Sequence, residues 1–425
     1  MQVEHRASER LVGEHLAAAS LYLLAGAAGL VWIAPALAHG LYLQPHVAGV
    51  THLFTLGWLT LTIFGALAQL LPMALGAPIR SVRLAHVAFW LLAPGIGLFA
   101  CGVATLAMPL MVPGVLLVAS GILLAVGNVA ATLPRGRTHD VTWAGIALGI
   151  TFLTSTLAFG LVLTHNLHTG FVAAARMRIL TAHLHLALVG WVLIVVVGVS
   201  RRLLPMFMVA HSANARWSPR ALTLLALGVP ALAVGLVTRS TIVSWTGAVL
   251  VDAGVVAFLW QTVMFYRART RPLDDGMRFV RASLPFLTAC GILGPTLLAL
   301  GPAHARLATV YLITGLLGFL VPFVTGLLYE IVPTLAWTTR YGGRLNRGRV
   351  PAVADLYSAR VARWQLAMYM AGVLLLVAGV ASTSAAVARS GALLFLVGVL
   401  LFVTQIARMR WGAPAAPHPP AGTSA

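Results

Sequence analysis

Twelve apolar runs, each about 20 residues long, limit the folds open to this chain more than any other feature. They fall near residues 16–36, 47–72, 84–107, 111–132, 141–164, 180–205, 219–238, 243–266, 281–301, 307–333, 364–382 and 388–407. A helix of that length crosses a hydrocarbon core about 30 Å thick, and in lipid every backbone N–H and C=O must be satisfied without water. With 60% hydrophobic and 9% charged among 425 residues, the chain has too little polar character to wrap a soluble core of this size. The sequence therefore predicts an all-α integral membrane protein with twelve transmembrane helices. Membrane lipid is the first partner it implies.

The runs also fall into sets. The stretch Thr51–Met73 returns 133 residues later, where His185, Gly190, Trp191, Gly198, Leu203, Leu204, Pro205 and Met206 match His52, Gly57, Trp58, Gly65, Leu70, Leu71, Pro72 and Met73 without a gap. A further shift of 128 aligns Gly318, Phe319, Gly326 and Pro333, with Ile313 in the histidine position. This predicts three quasi-equivalent groups of four helices, approximately 16–132, 141–266 and 281–407, with the motif on the second, sixth and tenth. Residues 1–15 then form a charged N-terminal segment, and the Pro/Ala-rich residues 412–425 a disordered tail. The repeated glycine and proline stand seven apart, on one helix face, and suit close helix packing.

A net charge of +19 suggests nucleic acid only until its distribution is considered. The chain has no lysine, and its 28 arginines divide 23 to 5 between alternate loops. That is the positive-inside pattern, which puts both termini in the cytoplasm and requires no nucleic-acid partner. Cys101 and Cys290 lie inside apolar runs and imply neither a disulfide nor a cysteine metal site.

With the topology laid out, eight of fourteen histidines collect at the outer ends and loops: His39, His46, His52, His165, His168, His183, His185 and His304. Carboxylates are almost absent there, and imidazoles without carboxylates suit haem iron, copper or zinc better than magnesium or calcium. His52 and His185 are equivalent by the repeat and stand at matched depth, as a shared or mirrored site requires. His183 and His185 lie about 200° apart around a helix, so they address different sites or neighbours rather than one ion. A lone interfacial histidine more often anchors a helix end, and that is the ordinary reading of His39, His165, His168, His304 and of His46 after Pro45. The candidate metal or cofactor ligands are His52, His183, His185 and, more remotely, His46. Asp252 and Glu330 stand inside apolar spans, where a carboxylate is costly unless paired or hydrated, and are candidates for a proton path.

Taken together, the residues resemble subunit I of the haem-copper oxidase superfamily: three groups of four helices, a histidine on the second helix, and L-P-M-A-L-G-A-P at 71–78. The H-x-H, G-W, Gly and Pro series at His183, His185, Gly190, Trp191, Gly198 and Pro205 is also similar to the NnrS family of haem- and copper-containing membrane proteins linked to nitric oxide stress. The resemblance implies a bacterial inner-membrane protein carrying haem b on His52 with His185 or His183, possible copper, and a redox or nitric-oxide-related role. It does not imply oxygen reduction. The Pro-Glu-Val-Tyr segment of helix six, the His-His pair that follows it and the H-x-H of helix ten are all missing here. A different class, a copper transporter or metallochaperone working through the outer histidines, remains the alternative.

Overall fold

A computed structural model describes residues 2–301, 303–342 and 350–411, and all the regular structure among them is helical. Twelve helices are long and apolar enough to span a bilayer: α1 Glu9–Ala38, α2 Pro45–Leu75, α3 Val82–Thr105, α4 Met108–Arg135, α5 Val141–Thr169, α6 Ala173–Met208, α7 Trp217–Thr238, α8 Thr241–Arg267, α9 Asp275–Leu300, α10 Ala305–Tyr341, α11 Ala359–Ala381 and α12 Ala385–Arg410. Several of their starts are capped by side chains. Ser81 accepts from Leu84 N–H, Asp140 from the N–H groups of Thr142 and Trp143, and Asp274 from Met277 N–H. The tail 412–425 lies outside the described residues, as does 343–349 within the long α10–α11 connection.

The N-terminal segment is not separate from the first span. One helix runs from Gln2 through Ala38, and Leu11, Val12 and His15 are buried in the bundle. Two of its polar side chains find partners there: Glu14 pairs with Arg10 and His86, and His15 Nδ1 bonds Leu11 O.

The spacing of the repeat reappears as geometry. α2, α6 and α10 are the most enclosed spans, and each changes from α- to π-helix just after the histidine register, at Leu53–Thr60, Leu186–Leu193 and Thr314–Leu320. A π turn bonds i to i−5, a wider winding that recurs at functional sites. Beyond it, the repeated glycines take the first helix of each group at close range. A Cβ on Gly65 would stand 2.7 Å from His15 Cβ, on Gly198 2.8 Å from Gly145 Cα, and on Gly326 2.6 Å from Gly276 O. Only glycine permits that approach. Buried Trp191 donates to Thr60 Oγ1 at 3.1 Å, tying α6 to α2 at the centre.

Candidate functional site

His52 ends the first α-helical stretch of α2, immediately before the π segment. Its Nδ1 lies 2.8 Å from Ala48 O, and His185, its repeat equivalent, makes the same contact with Thr181 O at 2.8 Å. His183 differs: its Nδ1 reaches across to Thr156 O on α5 at 3.1 Å. A carbonyl can only accept, so each Nδ1 carries the proton and the neutral ring presents Nε2 as its lone-pair nitrogen. A carbonyl held against one ring nitrogen fixes the orientation of an imidazole and leaves the other nitrogen free to ligate a metal.

The three rings divide between two cavities at the arginine-poor end of the bundle. The first, of about 210 Å³, is lined by His52 and His183 among leucines and valines, with Phe99 edge-on to His52 at 5.1 Å between ring centroids. A side chamber of about 70 Å³ shares both histidines, Phe99, Gly160 and Thr164 with it. The second cavity, of about 440 Å³, takes His185 with Tyr311, Asp252 and Cys290. Tyr311 stacks on His185 with its hydroxyl 3.4 Å from Nε2. Tyr42 and Leu180, Leu184, Leu188 and Leu312 line both cavities and so form the wall between them. Burial at that wall raises the Tyr42 pKa, so it presents a protonated hydroxyl.

The structure thus unites His52 with His183 and leaves His185 elsewhere. Repeat equivalence favours the pairing of His52 with His185, but helical phase overrides it, because α6 runs between the two chambers and residues two apart face opposite ways. His46 packs 5.3 Å from Trp32 and lines neither cavity. Asp252 faces the second cavity, where Gly291 is its neighbour. Glu330 stands beside Gly276, fifteen residues along α9 from Gly291, or about 22 Å at the helical rise. The two carboxylates are therefore not neighbours on one path. Trp58 is fully buried and lines none of the three chambers.

Tyr311 escapes a search confined to histidine, yet the repeat marks it. A shift of 128 brings His183 onto Tyr311, just as it brings His185 onto Ile313. Arg176 and Arg178 form another missed pair. They stand seven residues before His183 and His185, and each lines the same cavity as its partner histidine.

Comparison with solved structures gives a haem-copper terminal oxidase, determined as a dimer by cryo-EM, at a TM-score of 0.73 and 11% sequence identity, covering 97% of this chain and 85% of that one. The chain has the haem-copper oxidase fold. No protein-family profile and no curated protein matches its sequence. At this identity the likeness fixes the arrangement of helices, and the chemistry must be read from this chain's own donors. Among the described residues no three of His, Cys, Asp and Glu converge as a small metal ion requires. Two imidazoles facing one apolar chamber suit a haem, which supplies four nitrogens of its own and takes only axial ligands from the protein.

Proposed function

We propose that the chain is a membrane haem b protein for electron transfer, in which His52 and His183 would hold the haem iron. The observation that carries this reading is the pair of imidazoles, from α2 and α6, whose Nδ1 atoms are tied to Ala48 and Thr156 carbonyls while both rings line one apolar cavity. A bound haem supplies reversible one-electron exchange. The protein's part is to hold both rings in a fixed tautomer, exclude water with Leu163, Leu184 and Phe99, and offer Arg176 as a cationic partner for an anionic group in the same chamber. If both imidazoles held the iron, electron transfer would be favoured over gas binding. The nitric-oxide role implied by the sequence resemblance requires one imidazole to be released, and ranks second. Copper transfer through the histidine cluster has no converging third donor among the described residues to support it.

The test is a reduced-minus-oxidised visible spectrum of the purified protein with a pyridine haemochrome assay. One haem b per chain with a low-spin spectrum is expected, lost in His52→Ala and in His183→Ala and kept in His185→Ala. Full, unshifted haem in both of the first two variants would sink this reading.

A further inference from the structure

The second cavity plays no part in ligating a haem on His52 and His183, and its mouth carries a charge that nothing balances. Arg178 lines it at the arginine-poor end of the bundle, where its Nη1 donates to Val237 O of α7 at 2.6 Å and so pins the guanidinium. Its Nε is enclosed yet has no hydrogen-bond partner, and among the described residues no carboxylate pairs with it. Tyr42, whose hydroxyl keeps its proton, lines the same cavity from the connection between α1 and α2. An enclosed donor on a cation, left without an acceptor, marks a place for an anion.

From the mouth the cavity continues as a slot along the helices. On α9 its lining runs from Gly301 to Leu287, fourteen residues or about 21 Å at the helical rise. His185 and Tyr311 stand part-way down, but they already have partners: Thr181 O holds His185 Nδ1 at 2.8 Å, and the Tyr311 hydroxyl faces Nε2 at 3.4 Å. The Thr181 hydroxyl donates to Met177 O at 2.8 Å. Asp252 is the only carboxylate in the lining and neighbours Gly291, ten residues from Gly301 or about 15 Å, too deep to neutralise Arg178. A carboxyl that keeps its proton needs no counter-charge there. Apart from Cys290, the remaining lining is apolar or small, and a Cβ on Gly294 would meet nothing nearer than Tyr311 at 3.7 Å.

These two halves select the occupant. A small inorganic anion would use Arg178 and leave the slot unfilled, whereas an uncharged alkyl chain would fill the slot and leave the cation unpaired. A tetrapyrrole would have to displace the Tyr311 hydroxyl from the one imidazole in the lining. A chain with an anionic head satisfies both halves. We propose that this cavity binds an anionic membrane lipid, its carboxylate or phosphate head on Arg178 and Tyr42 and one acyl chain laid down the slot along α9. Entry from the bilayer suits such a ligand, since α9 is the least buried of the twelve spans. A fatty acid and a phospholipid share this chemistry. The assignment stands on the second cavity alone and does not depend on haem in the first.

The test photolabels the full-length protein, purified in an uncharged maltoside detergent, with a palmitate analogue carrying a mid-chain diazirine, and maps the labelled peptides by mass spectrometry. Saturable labelling of α9 between Leu287 and Leu300 is expected, suppressed by excess palmitate or by excess palmitoyl lysophosphatidate. The stronger competitor identifies the source as fatty acid or phospholipid. Hexadecanol, the same chain without the charge, should compete about tenfold less well, the loss of one charge-assisted hydrogen bond. Arg178→Gln should weaken labelling about tenfold on the same ground, while Arg178→Lys keeps most of it and shows that charge, and not folding, is being read. Gly294→Leu fills the slot without touching Arg178 and should abolish labelling. His168→Ala, exposed at the end of α5, should label as the wild type does. Labelling that palmitate and lysophosphatidate both fail to suppress, equal competition by hexadecanol, or unchanged labelling in Arg178→Gln overturns the proposal. So does a content of two haems per chain with one lost in His185→Ala, since a tetrapyrrole would then occupy the cavity.

Discussion

His183 and His185 are separated by one residue and by the thickness of a helix, so the side chains around each ring decide what it can hold. Gly160 is the closest such control on His183: a Cβ there would stand 3.2 Å from the ring's Cε1. Gly160→Ala adds a methyl group at the edge of tolerance, and Gly160→Leu must displace the imidazole. We expect haem per chain to fall modestly in the first and several-fold in the second, with the melting temperature changed by only a few degrees, as measured by pyridine haemochrome and a thermal scan. Equal haem content in wild type and Gly160→Leu would mean that His183 is not a ligand. The residue scale was only half legible in the sequence. The histidines stand out by type and repeat, but the partner of His52 does not, because pairing depends on which chamber a helix face meets. The carbonyls of Ala48, Thr156 and Thr181 that set the three tautomers are backbone atoms, which residue type does not announce.

The helices were readable because a span needs a long apolar run, and each of the twelve spans has one. Their ends were less so. The helix of α1 continues back through charged residues because Glu14 and His15 find partners inside the bundle. The π segments leave no trace in composition, since the change from i−4 to i−5 bonding is made by packing around them. The role of the repeated glycines follows directly from their spacing, and a substitution series measures it. Gly145→Leu or Gly198→Leu must drive α5 from α6, where a Cβ on Gly145 already meets Gly198 Cα at 2.6 Å, and overpacking of this kind costs about 1–3 kcal/mol. Gly127→Ala, on α4 with nothing within 4 Å of the added Cβ, should instead be neutral or stabilising by up to about 1 kcal/mol. Thermal unfolding in one detergent distinguishes the two sites, and similar melting temperatures for all three variants would remove the packing role.

Across the whole molecule, the arginine asymmetry predicts both termini in the cytoplasm and the two cavities toward the outer face, an orientation open to direct test. Single-cysteine variants at Arg137 and His168, in a background without Cys101 and Cys290, should separate cleanly. The residue-168 cysteine is labelled in intact cells by a membrane-impermeant maleimide, and the residue-137 cysteine only after lysis. The reverse pattern would invert the topology and both cavities with it. The threefold arrangement was legible in the sequence because its period survives in the glycines and prolines, whereas the division into two chambers was not. The recurring π segments have one more consequence. Each acts as a phase shifter between the two halves of a long helix, so the half bearing histidine, tyrosine or isoleucine is rotationally decoupled from the half that carries the glycine contacts. A repeat built this way can hold a different residue at that register in each copy while its scaffold keeps its pitch, and Ile313, in the same register as His52 and His185 and just before the same wide turn, is such a case.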